Sequence, residues 1–97
     1  MTKAYWVVAW RSVSDPSAVA RYAATAGAVI KAQGGRILAR GNPARVHEAG
    51  LPSRLVIVEF ESLETAIAAY ESPAYQEAVA HLVGSAERDL RIIESLE

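Results

Sequence analysis

The chain has 97 residues, of which 52% are hydrophobic and 22% are charged, and its formal net charge is −1. This length and balance predict one globular domain over residues 1–97, and the near-neutral charge argues against nucleic-acid or membrane partners. The absence of cysteine excludes disulfides and thiolate zinc sites. No leader pattern and no apolar run near ~18 residues appears, so a cytoplasmic location is expected.

The first half of the chain predicts a strand, a helix and a second strand. Residues 4–10 are rich in β-branched and aromatic side chains, and both their odd-numbered and their even-numbered positions are apolar. This is typical of a strand covered on both faces. The Asp-Pro pair at 15–16 supplies an N-cap and a first helical position. An apolar stripe at helical spacing follows until the Gly-Gly pair at 34–35 ends the helix. Residues 36–40 are then predicted to form a strand whose charged residues are all at even-numbered positions and therefore on one side of the strand.

The second half predicts two strands with a divided helix between them. Residues 44–53 indicate a strand extension or a loose hairpin arm, followed by a turn. Residues 54–60 form the second strongly apolar strand, and Ser62 caps the helix that follows. The Ser-Pro pair at 72–73 ends this helix and starts another. Residues 88–95 form the last strand.

The predicted order is β-α-β-β-α-β, which makes the fold α+β and ferredoxin-like, a four-stranded antiparallel sheet with the helices on one face. Right-handed crossovers place strands one and three in the centre of the sheet. The edge strands then carry four arginines that protect the edges, namely Arg36, Arg40, Arg88 and Arg91.

This fold leaves the other face of the sheet bare in a monomer. The bare face contains either the row of Trp6, Val8 and Trp10 or the row of Tyr5, Val7 and Ala9, and both rows are apolar. An apolar face of this size requires a partner, and a second copy related by a two-fold axis is the simplest one. We therefore predict a homodimer through the sheet faces.

Several short motifs also give the chain a family resemblance. They are Tyr5-Trp6, Asp15-Pro16 with Tyr22, Gly34-Gly35-Arg36, Leu38 to Gly41, Val58-Glu59-Phe60, Ser62, and Tyr70 to Tyr75. On these motifs the chain resembles the small bacterial proteins grouped as domain-of-unknown-function family 1330, in the dimeric α/β-barrel superfamily. The resemblance implies a ferredoxin-like fold, a dimer and no established activity.

The wider superfamily includes cofactor-free monooxygenases, small-ring isomerases and stress-responsive barrel proteins, which place small organic ligands between sheet and helices. The chain departs from the family pattern at three positions, where Ala69, Ala74 and Leu82 replace a tryptophan, a glutamate and an arginine. The role of that arginine in relatives is either lost here or taken by His81 or Arg88.

Glu59 is the first candidate site residue, because a carboxylate in an apolar strand is costly to bury without a partner. It is interpreted either as a general base or ligand anchor, or as the partner of Arg40 or Arg36 in a structural ion pair. Arg40 is interpreted as a carboxylate or enolate receptor, or as a solvated edge residue. His81 either reaches the cleft as an acid or base or lies at the surface.

Four tyrosines complete the candidate site as walls of a cleft, with hydroxyls that require partners when buried: Tyr5, Tyr22, Tyr70 and Tyr75. The two histidines, His47 and His81, form no spaced metal motif, and no glycine-rich nucleotide motif is present. We therefore expect no metal and no cofactor.

Two functions remain open from the sequence. The first is a small-molecule-binding dimer, with or without cofactor-independent proton transfer or oxygenation. The second is a non-catalytic interaction or stress-associated module. Whether Glu59 faces a pocket or the dimer face discriminates between them.

Overall fold

The structure is a computed structural model that describes residues 2–97. The elements in this range follow in the order β1 (Ala4–Val13), α1 (Pro16–Ala32), β2 (Arg36–Gly41), β3 (Leu55–Phe60), α2 (Leu63–Glu71), α3 (Pro73–Ala80) and β4 (Ala86–Glu94). The strands form one antiparallel sheet in the order β2-β3-β1-β4, with the helices on one face. The predicted ferredoxin-like fold is confirmed, with strands one and three in the centre. No helix within the described range is long and apolar enough to cross a membrane.

The connection between β2 and β3 differs from its prediction. Residues 42–54 form an irregular segment with a turn, so the predicted strand extension over residues 44–53 is wrong. Pro43 and Pro52 have no backbone N–H to give to a ladder, which explains why pairing stops at Gly41.

The helix ends follow the local sequence closely. Asp15 caps α1, since its carboxylate accepts hydrogen bonds from the backbone N–H and the hydroxyl of Ser17 at 3.0 and 2.6 Å. At the other end Gly34 has φ +93°, a conformation that favours glycine. Gly35 is also required, because a Cβ there would lie 2.6 Å from Ile30 Cγ2. Ser62 and Ser72 cap α2 and α3 with their side chains.

The structure decides which sheet face is bare. Trp6, Val8 and Trp10 are buried under the helices together with Val58 and Phe60 of β3. The alternate positions therefore form the open face: Tyr5, Val7 and Ala9 of β1, Leu55, Ile57 and Glu59 of β3, and Asp89, Arg91 and Ile93 of β4, as the strand pairing aligns them. Ile93 is 59% exposed there.

The helix layer is divided into two halves that pack differently. The backbone of α2 lies close to β1, β3 and β4, because the α2 residues that face the sheet are Ala66 and Ala69. The helix α1 packs chiefly against α3 and stands away from the strands. The space that this leaves between α1 and the sheet contains the candidate site.

Candidate ligand-binding cavity

A cavity of about 380 Å³ lies between α1 and the sheet. Its floor is the buried row of β1, that is Trp6, Val8 and Trp10, with Val56 and Val58 of β3 beside it. Its roof is the face of α1 that carries small residues such as Ala23, Ala26 and Gly27. Because these side chains do not reach the floor, the helix and the strands leave a space between them.

Arg88 of β4 lies at this cavity and is held in place by two tyrosines. Its Nη1 donates hydrogen bonds to the hydroxyl oxygens of Tyr22 and Tyr75, each at 3.1 Å. The two hydroxyls lie 2.6 Å apart and share a third hydrogen bond. The guanidinium carbon is 5.0 Å from the ring centroid of Tyr22 and 5.3 Å from that of Trp10, within cation–π range. These contacts fix the plane and the position of the guanidinium.

The charge of Arg88 has no counter-ion within residues 2–97. None of the ion pairs in this range, defined by a nitrogen–oxygen distance of 4.0 Å or less, includes Arg88. Burial works against its charge, but the electrostatic interactions with Tyr75 and Tyr22 outweigh that effect and raise the pKa of Arg88. Burial, together with the charge that Tyr22 would carry, raises the pKa of Tyr75. The cluster is therefore a guanidinium cation hydrogen-bonded to two tyrosine hydroxyls, of which that of Tyr75 is held in its neutral form.

Trp10 adds a second donor without a partner. The residue is 7% exposed, and its Nε1 is buried without a hydrogen bond to any described residue. In contrast, Nε1 of Trp6 donates to the carbonyl oxygen of Ala66 at 2.9 Å. A buried N–H that lacks an acceptor is costly, which makes Trp10 an unusual feature of this core.

Two more arginines, Arg40 and Arg54, line the same cavity from exposed positions. Neither takes part in an ion pair within residues 2–97. The residues that line the cavity include no aspartate, glutamate or histidine. The cavity therefore combines apolar walls with positive charge, and its own lining offers no carboxylate or imidazole to act as a base.

The structure brings together only part of the predicted site. Arg40 and Tyr22 line the cavity, and Tyr75 lies directly behind Tyr22 in the hydrogen-bonded cluster. Tyr70, a residue of α2, packs against the rings of Trp6 and Tyr75, and its ring centroid lies 6.0 and 5.5 Å from theirs. It belongs to the closed half of the core and does not line the cavity.

Tyr5, Glu59 and His81 lie away from the cavity. Tyr5 and Glu59 are register partners on the open face, where Glu59 Oε1 is 3.1 Å from Lys3 Nζ rather than paired with Arg40 or Arg36. His81 is the exposed C-cap residue of α3. The catalytic role of Glu59 and His81 stays a prediction, and neither residue contributes to this cavity.

From the sequence, Arg88 is interpreted as one of the edge-protecting arginines and also, with His81, as a residue that could take over a ligand-binding role. The structure corrects the first interpretation, since Arg88 lies at the cavity. Arg88 is half-buried and points inward, since it alternates with Asp89 and shares the parity of Leu90 and Ile92, which pack against the core. That shared parity is the signal in the sequence that could have identified it. The roles of Trp10 and Arg54 had no comparable signal.

Comparison with known proteins agrees with this architecture. The family model described as domain of unknown function (DUF1330) matches residues 3–96, so the chain belongs to that family. A protein of unknown function from Rhodopseudomonas palustris is 19% identical, with a TM-score of 0.72 over 99% of this chain and 84% of that one. No curated protein matches the chain in sequence.

Two other solved structures have the same fold. A dimeric ferredoxin-like protein of unknown function from Thermobifida fusca is 14% identical, with a TM-score of 0.65 over 95% of this chain and 90% of that one. A mutant of SnoaB, a cofactor-independent oxygenase from Streptomyces nogalater, is 13% identical, with a TM-score of 0.67 over 98% of this chain and 94% of that one. At these identities the likeness shows the fold alone.

Proposed function

We propose that this protein binds a small organic molecule in the cavity beneath α1 and acts as a homodimer. The observation that carries the binding proposal is the cavity of about 380 Å³, which lies within the range of small-molecule sites. Apolar and aromatic walls with a few convergent polar groups are the usual composition of such sites. Here the polar groups are the guanidinium groups of Arg88, Arg40 and Arg54.

The same cavity bears on catalysis. SnoaB is a cofactor-independent oxygenase with this fold, and such chemistry on this chain would depend on a substrate that is itself reactive. The lining residues of the cavity include no carboxylate or imidazole that could remove a proton. That observation and the position of Glu59 on the open face, away from the cavity, favour binding over proton transfer and keep a non-catalytic module as the second candidate function.

A ligand screen tests the binding proposal. Compounds that bind the native state raise the melting temperature, and a ligand at about 100 times its Kd adds about 2.7 kcal/mol to the free energy of unfolding. We expect a shift of several degrees from one or more one- or two-ring compounds. The matched variant Ala26→Leu extends a side chain from α1 into the cavity and is expected to lose the shift. Absence of any hit, or an equal shift in the variant, would contradict the proposal.

The open sheet face supports the homodimer. Its centre contains the register partners Val7 and Ile57 with Leu55 beside them, whereas on the β4 side Val7 and Ala9 lie opposite Arg91 and Asp89, which form an ion pair at 3.1 Å. A contiguous apolar face of a small protein is normally covered, and a two-fold axis covers it with an identical face. The dimer would also bury the pair of Lys3 and Glu59 or place it at the rim of the interface.

Light scattering of two matched variants tests the dimer. Ile57→Lys places a charge at the centre of the open face, whereas Ile67→Lys places it on the exposed side of α2 at a residue that is 40% exposed. We expect wild type and Ile67→Lys to have the mass of a dimer. Ile57→Lys is expected to dissociate at least about a hundredfold more readily. A monomeric wild type, or a dimeric Ile57→Lys with unchanged affinity, would overturn the homodimer.

A further inference from the structure

We infer that the ligand of this cavity is a small monocarboxylic acid with an apolar body, bound as its carboxylate by Arg88 and the indole N–H of Trp10. Because it rests on the proposed function, its test is designed to separate the class of the ligand from the existence of the site. Three features of the cavity carry it: a fixed guanidinium with unused donors, an unpaired buried N–H beside it, and a single interior charge.

The first feature is the unused edge of Arg88. Nη1 donates to the hydroxyl oxygens of both Tyr22 and Tyr75. Within residues 2–97, Nη2 and Nε make no hydrogen bond, so the edge that they form is available. The two parallel N–H groups of a guanidinium edge match the two oxygens of a carboxylate. The tyrosines hold the fork in place before any ligand arrives, which lowers the entropic cost of binding.

The second feature is the position of Trp10. The guanidinium carbon of Arg88 lies 5.3 Å from the Trp10 ring centroid, so the unpaired indole N–H belongs to a side chain in direct contact with the cation. Because Nε1 presents no accessible surface to the cavity, the indole must turn slightly to expose it, and a carboxylate oxygen that pairs with Arg88 would then accept this N–H as well. Ligand binding would thereby remove the cost of the orphaned N–H.

The third feature is the amount of charge inside the cavity. Arg88 is the half-buried cation, whereas Arg40 and Arg54 are exposed. One interior cation neutralises one negative charge, and a phosphate dianion would leave excess charge between Trp6, Val8 and the alanines of α1. The exposed arginines attract an anion from solution without pairing with it in the interior. A monocarboxylate with an aromatic or branched body carries the single negative charge that Arg88 can neutralise, and its apolar part fits the apolar walls of the cavity.

Calorimetry with matched ligands tests the class. Phenylacetate, 3-phenylpropionate, indole-3-acetate and 2-naphthoate are each titrated beside the corresponding primary amide, and phenyl phosphate is added as a dianion. We expect one or more acids to bind at least about tenfold more tightly than the amide of the same shape. Equal binding of acid and amide would overturn the carboxylate inference and leave the proposed cavity standing. Tighter binding of phenyl phosphate would overturn it as well, and absence of binding by all compounds would overturn both proposals.

Variants assign the contacts. Arg88→Gln is expected to weaken the acid by about tenfold to a hundredfold and to leave its amide within about twofold. Arg88→Lys keeps the charge without the fork and should recover part of the affinity. Trp10→Phe should weaken the acid several-fold. Arg21→Gln makes the same charge change on the exposed side of α1 and serves as the matched control.

Each variant is compared at a temperature where circular dichroism shows it to be folded. If Arg88→Gln does not fold, Arg88→Lys and Trp10→Phe still test the inference. Wild-type affinity for the acid in both of them, or a loss as large in Arg21→Gln as in the Arg88 variants, would overturn it.

Discussion

Trp6 and Trp10 lie on the same face of β1, one on each side of Val8, and yet their surroundings differ. Trp6 lies under α2, packs against Phe60 and Tyr75 with ring centroids 5.0 and 4.9 Å away, and donates its indole N–H to Ala66. Trp10 lies beside the cavity, contacts Arg88, and has no acceptor for its indole N–H. Both tryptophans belong to the cavity floor, but α2 also ties Trp6 into the packed half of the core, whereas Trp10 keeps a donor without a partner.

The distance of the overlying helix explains the difference. Ala66 and Ala69 let α2 approach the strands closely enough for its backbone carbonyl to reach Trp6. The helix α1 also presents small residues to the sheet, but it packs chiefly against α3 and not against the strands. Small side chains thus close one half of the core and leave the other half open, which means that helix placement decides their effect.

The two tryptophans should respond differently to the same substitution. Trp6→Phe removes packing against Phe60 and Tyr75 and leaves the buried carbonyl oxygen of Ala66 without its donor, so we expect a loss of about 2–3 kcal/mol in the free energy of unfolding. Trp10→Phe removes a donor that has no partner, beside an existing cavity, and should cost only about 1 kcal/mol. Urea denaturation of both variants without ligand measures the difference. Equal losses would show that the two halves are packed alike.

Enlarging one alanine in each half tests the same contrast by adding volume. Ala66→Leu forces a longer side chain between α2 and the strands, where overpacking costs about 1–3 kcal/mol. Ala26→Leu extends into the cavity, and we expect its free energy of unfolding to remain within about 0.5 kcal/mol of wild type. Thermal and urea denaturation provide the comparison. A destabilised Ala26→Leu would mean that α1 has no free space beneath it.

Alkaline pH probes the cluster that joins the two halves. Because the folded pKa of Tyr75 is raised above the ordinary value of 10.0, the native state retains a proton that the unfolded chain releases. The stability that this raised pKa contributes is fully present below pH 10. It is lost as the pH rises further, by up to about 1.4 kcal/mol per pH unit. Tyr75→Phe should be less stable than wild type at pH 7 and should lose less stability between pH 10 and 11.

The matched control for Tyr75→Phe is Tyr5→Phe, which removes one tyrosine from the open face. Denaturation curves at pH 7, 10 and 11 provide the slopes for wild type and both variants. If the slope of Tyr75→Phe equals that of wild type, the hydroxyl of Tyr75 is not held protonated by the fold.

Local sequence was sufficient for the elements and their order. The cap of α1 at Asp15, its end at the Gly-Gly pair, and the break at Ser72 each depend on residues within one or two turns. The bare sheet face also follows from sequence, because β1 is apolar at both parities and the fold covers only one face. The strand extension predicted as one alternative for residues 44–53 is wrong, because Pro43 and Pro52 cannot donate to a ladder on either side of this stretch.

The sequence by itself determined that this chain forms a ferredoxin-like domain with an uncovered sheet face, because helix and strand periodicity and capping are local properties. Only the tertiary structure decided that the row of Trp6 faces the helices, that Glu59 faces outward beside Lys3, and that Arg88 faces inward between Tyr22 and Trp10. These outcomes depend on strand register and on where each helix rests. Both are set by contacts between residues that are distant in the chain, such as Arg88 with Tyr22. The alternation along β4 places Arg88 on the same side as Leu90 and Ile92, but it does not say which side the helices cover.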